Sequence, residues 1–169
     1  VCAGRPPQGG RNELTPRFTR HFHILNVPDP SRNTLFKIFN SILAGFLEFG
    51  FADEVRRASD ASINATIDLY NVLKQSLKPT PARFHYMFNL RDMSKVIQGV
   101  LQTSSHNITS IQHLAKCWVH ETLRVFADRL INIEDTEWFT TTIVELVNRW
   151  YKIGWSHQEL FESGALLYS

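Results

Sequence analysis

One stretch of this chain reads as a β-strand and almost everything after it reads as helix, and that imbalance limits the available folds more than any other feature. Phe22-His23-Ile24-Leu25-Asn26-Val27 partly alternates, is rich in β-formers, and is bounded by Pro28-Asp29-Pro30. A lone strand leaves both its edges unpaired and is not stable alone. The pattern therefore predicts the last strand of an α/β domain, separated from its sheet, followed by a self-sufficient helical subdomain.

The helical part is legible from periodicity. From Ser31 onward, Leu35, Ile38, Phe39, Ile42, Leu43 and Phe46 recur at three- and four-residue steps, and Gly50 supplies a stop. A second helical stretch is predicted from about Ala52 to Leu77, with Ile63, Ile67, Tyr70, Leu73 and Leu77 on one face, ended by Lys78-Pro79-Thr80-Pro81. A third covers Leu90 to Leu101, capped by Asn89, and a fourth runs from about Thr109 to Ile131 with Ile111, Leu114, Ala115, Trp118, Thr122, Val125 and Phe126 in one stripe. A fifth is read from Trp138 to Tyr151, with a weakly helical tail from Ile153 to Ser169. Before the strand, Arg5 to Arg11 is a Pro/Gly loop, and Thr15-Pro16 starts a short helical turn through Arg17 and Phe18.

Composition narrows the function classes. The 169 residues carry 18 basic and 16 acidic side chains, too balanced to imply a nucleic-acid partner. Aromatic and basic residues do interleave from Arg17 to His23, but a stacking platform needs several strands. No apolar run reaches membrane-spanning length, and Cys2 and Cys117 form neither a disulfide framework nor a paired-thiolate motif. An intracellular, reducing setting fits, in which the sequons at Asn64 and Asn107 are chance matches. The Val1 start and Pro/Gly-rich opening predict a segment cut from a longer chain.

Several side chains invite chemical readings. Arg17 and Arg20 lie three apart on a short turn and project to one side, which suits either solvent or a phosphate or carboxylate. His113, Cys117, His120 and Glu121 share helical spacing, but one helix rarely supplies a whole coordination sphere, so no metal site is assigned. Trp118 is read as core. Glu121, Asp128, Glu134 and Asp135 are read as solvated carboxylates, since no nucleophile accompanies them.

The run Pro6-Pro7-Gln8-Gly9-Gly10-Arg11-Asn12, the box from Thr15 to Phe22 and the block Phe88-Asn89-Leu90-Arg91-Asp92 through Ser94-Lys95-Val96-Ile97-Gln98-Gly99 resemble the third AAA+ module of dynein heavy chains, most closely the axonemal branch. The block from Trp118 to Leu130 is similar to the helix that follows in that family, so the resemblance spans roughly residues 2 to 140.

The resemblance implies a mainly α fold: a helical AAA+ lid subdomain preceded by the last loop and strand of an α/β P-loop domain. Residues 1–30 would end the large subdomain, 31–131 would form the lid, and 132–169 would be a helical extension toward the next module. Arg17 matches an arginine finger acting on the second module's nucleotide, with Arg20 secondary to it. Arg91 matches the sensor-2 arginine reaching the phosphates of its own module. Arg5 falls at the sensor-1 position, where the family commonly has glycine, and Asn12 is an alternative polar candidate there.

The implied cofactor is ATP or ADP with magnesium in the complete module, not held tightly by this chain alone. No Gly-x-x-x-x-Gly-Lys-Ser/Thr and no apolar run ending in paired acids occurs in the sequence, so the chain by itself is expected to show no ATPase activity. The implied partners are neighbouring AAA+ modules of the same heavy chain and, through the intact motor, the microtubule, with no nucleic acid or membrane. The implied place is the cytoskeleton of a cilium or flagellum axoneme, or the cytoplasm. Two other classes remain open: a non-enzymatic helical interaction module whose arginines meet an acidic surface, and the lid of another AAA+ ATPase.

Overall fold

The computed structural model of the protein describes residues 1–4 and 12–161, which divide between a first unit, Val1–Pro30, and a second, Ser31–Ser169. In the first unit, Thr15 adopts extended backbone and Pro16 takes the first position of α1 (Pro16–Thr19), where its missing N–H costs nothing. Phe18 and Phe22 stack with ring centroids 5.0 Å apart. The strand read over Phe22–Val27 is not formed: no strand occurs among the described residues, and 24–30 run as irregular, largely exposed chain. The β-forming side chains are present, but a strand is defined by its ladder and no partner strand lies among these residues.

Among its described residues, the second unit is built of helices and connecting turns. Ser31 caps α2 (Arg32–Leu47) by accepting from the Thr34 N–H, and the helix buries Leu35, Phe39, Leu43 and Leu47. Gly50, at φ 80°, ends the run in the left-handed region. The long helix read from Ala52 to Leu77 is instead two, α3 (Asp53–Arg57) and α4 (Ser59–Ser76), joined at Ala58. Next come a 3-10 turn at Pro81–Arg83, α5 (Leu90–Val100), α6 (Ile111–Phe126) with a 3-10 turn at Ala127–Arg129, α7 (Ile133–Tyr151) and α8 (His157–Phe161). Thus α6 yields to a tighter turn before Ile131, and α7 starts five residues ahead of Trp138. Lys152, in the left-handed conformation, and Gly154, at φ 77°, turn the chain back toward α8.

Helix α4 is the centre of this unit, packing on α2 and α7, while α5 packs on α6 and α7 carries α8. Its buried set includes the apolar face read from sequence and also Ser59, Ser62, Ala65 and Thr66. These small residues let neighbouring helices approach, and the hydroxyls of Ser62 and Thr66 are satisfied. The Ser62 and Thr66 hydroxyls donate to the carbonyls one turn back, at 3.3 and 2.7 Å. They also receive the polar tips of two buried aromatics: Trp118 Nε1 of α6 donates to Thr66 Oγ1 at 2.8 Å, and the Tyr151 hydroxyl of α7 to Ser62 Oγ at 2.8 Å. Trp118 is wholly buried, as core. On the outer side of α4, the Asp68 carboxylate takes an ion pair from Arg32 of α2 and a hydrogen bond of 2.9 Å from Trp150 Nε1 of α7. Asn64, in one of the two sequons, is likewise engaged, accepting from Arg32 at 3.0 Å and donating to the Asp60 carbonyl at 2.8 Å.

Candidate functional site

The N-terminus of α5 is fixed by a reciprocal cap. Asn89 stands in extended conformation as the cap, and its Oδ1 accepts from the Arg91 N–H at 2.8 Å. Asp92 reaches back to accept from the Asn89 N–H at 3.0 Å, closing a reciprocal capping box. Asp92 is 3% exposed, so its charge demands a partner. Arg129, in the turn after α6, supplies one: Nη1 donates to Oδ2 at 3.2 Å and Nη2 pairs with Oδ1. Burial pushes the Asp92 carboxyl up, but the Arg129 hydrogen bonds, the Asn89 N–H and the Arg129 charge outweigh it, holding the group below its ordinary 3.8.

A second network braces the loop leading into this cap. Asp135, at the start of α7, accepts from Arg83 at 2.9 Å and from the Tyr86 hydroxyl at 3.0 Å. Tyr86 in turn takes the Ile131 N–H at 3.2 Å, and His85 Nε2 lies 3.2 Å from the Arg129 carbonyl. Phe88 packs on Phe126 and lies under the Arg129 guanidinium, 5.8 Å from its carbon. Asp135 is therefore not the solvated carboxylate that its sequence position suggested; two donors from a distant loop converge on it.

Within that frame Arg91 is exposed, and no carboxylate pairs with it among the described residues. The structure thus fixes the backbone of Arg91 on both sides and leaves its guanidinium available. A cation so placed, in the first turn of an 11-residue helix, suits a phosphate or carboxylate. Arg17 and Arg20 belong to the first unit. Both are exposed, and Arg20 Nε donates to His21 Nε2 at 3.0 Å. Asn12 is exposed, and Arg5 lies outside the described residues.

The side chains drawn along α6 resolve into packing. His113 Nδ1 bonds Thr109 Oγ1 at 3.0 Å. Burial, with the Glu121 charge adding, pushes the Cys117 thiol up to about 12, which removes it as a thiolate. Glu121 is buried and takes Arg124 at 2.5 and 3.0 Å, so it too departs from the solvated reading. Its carboxylate lies against Gly99 of α5. A Cβ there would fall 1.8 Å from Glu121 Oε2 and 2.6 Å from its Cγ. Gly99→Ala is accordingly expected to destabilise the protein by roughly 1–3 kcal/mol, despite the better helix propensity of alanine. Thermal unfolding of Gly99→Ala against the double variant Gly99→Ala/Glu121→Ala checks the cause; equal melting points for Gly99→Ala and the native chain would sink it.

Comparison with known proteins adds to this geometry. Residues 38–136 match the family model described as "Dynein heavy chain, ATPase lid domain". The chain is 43% identical over 153 residues to human "Dynein axonemal heavy chain 6", covering 90% of this chain and 4% of that protein. It is 41% identical over 153 residues to mouse "Dynein axonemal heavy chain 12", covering 90% and 5%. To human "Dynein axonemal heavy chain 2" it is 36% identical over 157 residues, covering 93% and 4%. The chain therefore spans about one twentieth of the length of these relatives.

Proposed function

The chain belongs to the dynein heavy-chain family and folds as its helical lid, and on that ground we propose that it is the lid of the third AAA+ module in a motor ring, sensing ATP through Arg91. The observation that carries this reading is the isolation of Arg91: capped backbone on both sides, an exposed guanidinium, and a neighbouring carboxylate already neutralised by Arg129. The donor chemistry fits a phosphate rather than a metal, since Arg91 offers fixed positive charge at a helix N-terminus. Bound ATP would supply the terminal phosphate whose presence the guanidinium reads. Arg91 would then orient the lid over its own module's nucleotide, so that loss of that phosphate changes where the lid rests.

Arg17 is assigned the complementary role on the next site. The box from Thr15 to Phe22 supports it as the finger directed at the second module's nucleotide, with a permanent charge for the transferring phosphoryl group. The magnesium would come with the nucleotide. Relatives named as axonemal heavy chains support a place in the axoneme of a cilium or flagellum, with neighbouring modules as immediate partners and the microtubule as the track of the whole motor.

The test uses a complete heavy chain carrying this segment. Arg91→Ala is expected to weaken ATP binding at its own module by roughly 10- to 100-fold, the equivalent of one charge-assisted contact of about 1.5–3 kcal/mol. Arg17→Ala should slow turnover at the second module while leaving the third module's ATP affinity unchanged. With the other modules blocked by substitution, titration with a fluorescent ATP analogue reads the affinity and steady-state ATP hydrolysis reads the turnover. Native affinity in Arg91→Ala would refute the sensing role, and native turnover in Arg17→Ala the finger role.

A further inference from the structure

Arg129 lies 37 residues beyond Asp92, on a different element, yet it holds the residues on either side of Arg91. Its guanidinium engages both Asp92 oxygens and lies over the Phe88 ring, and its carbonyl meets His85. Asp92 passes this on to the Asn89 N–H, and Asn89 to the Arg91 N–H. The backbone at Arg91 is thus flanked by contacts that return to one turn after α6.

We propose that Asp92 and Arg129 are positioning residues for Arg91, a buried two-point clamp that sets the direction in which its guanidinium leaves the lid toward a nucleotide phosphate. The proposal rests on the sensing role assigned to Arg91. Stability alone is a weak reason for a buried ion pair, because apolar packing of similar volume commonly serves as well or better. Geometry is a stronger one. A planar guanidinium gripping two oxygens fixes an orientation that a lysine's point charge does not. The clamp also joins the sensing position to the end of α6, so a shift of that turn would be transmitted to Arg91 through hydrogen bonds.

The experiment is a double-mutant cycle in the complete heavy chain, reading ATP affinity at the lid's own module, with circular dichroism and melting to establish that each lid is folded. Arg129→Gln should lower affinity by roughly 2- to 30-fold, the range seen when residues that touch no ligand are coupled to a site. Arg129→Lys, which keeps a charge beside Asp92, should show a smaller loss of the same kind, and it carries the test if Arg129→Gln does not fold. In an Arg91→Ala background neither change should reduce affinity further. Full additivity with Arg91→Ala overturns the positioning role while leaving the sensing role intact, as does native affinity in folded Arg129 variants. If Arg91→Ala itself binds ATP normally, the sensing role fails and the clamp proposal fails with it.

Discussion

Truncating Trp118 to alanine is expected to cost about 3–5 kcal/mol of folding stability. Trp118 is wholly buried between α4 and α6 and packs toward Tyr151, with ring centroids 6.0 Å apart. Removing the indole leaves a cavity at the junction of three helices that can close only by moving one of them. The hydrogen bond is the lesser part of the loss, because Thr66 Oγ1 keeps its bond to the Ser62 carbonyl when Nε1 is gone. Trp118→Phe, which retains most of the volume, should therefore recover more than half of the deficit. Urea unfolding with an unchanged slope would assign the effect to the native state. A Trp118→Ala midpoint close to that of the native chain would show that burial of the indole contributes little to the fold.

Arg129→Ala should also be damaging, by about 2–3 kcal/mol, since it removes the charge partner of a carboxylate that is itself 3% exposed. The diagnostic comparison is Asp92→Asn/Arg129→Gln, which removes both charges and should cost less than Arg129→Ala alone. The pH dependence has a definite sign. Asp92 has its folded pKa depressed below 3.8, so its contribution is complete above that pH and disappears as pH falls through the lowered folded value. The stability gap between the native chain and Asp92→Asn should accordingly be constant near neutrality and narrow below about pH 3.8. A gap that widens on acidification would contradict the ion-pair account.

Much of the helical fold was readable from local signals. The Gly50 stop, the Asn89 cap and the α5 and α6 stripes all depend on interactions within a few residues, and local sequence signals report those directly. The break at Ala58 left no such mark, for no proline or glycine separates α3 from α4. The polar side of α4 escaped for a different reason. Ser62 and Thr66 look like surface residues until Tyr151 and Trp118 arrive from 89 and 52 positions away. The Phe22–Val27 reading failed because alternation describes a side-chain preference, whereas a strand exists only with a neighbour.

The same contrast divides the site. Arg91 was found through a motif and Asn89 was read as the cap, but the reach of Asp92 back to Asn89 was not read. Arg129 and Asp135 carry no local signature of burial; each becomes structural only when the loop from Arg83 to Asn89 is packed against them. The acid three residues after the Asn89 cap was the available clue, since that spacing places its carboxylate within reach of the cap N–H.

Asp68 binds Arg32 of α2 with one carboxylate oxygen and Trp150 of α7 with the other, from a position on α4 between them. In mechanical terms this is a cross-brace. One carboxylate on the central helix thus ties both outer helices, so displacement of either is resisted at the same two-carbon arm.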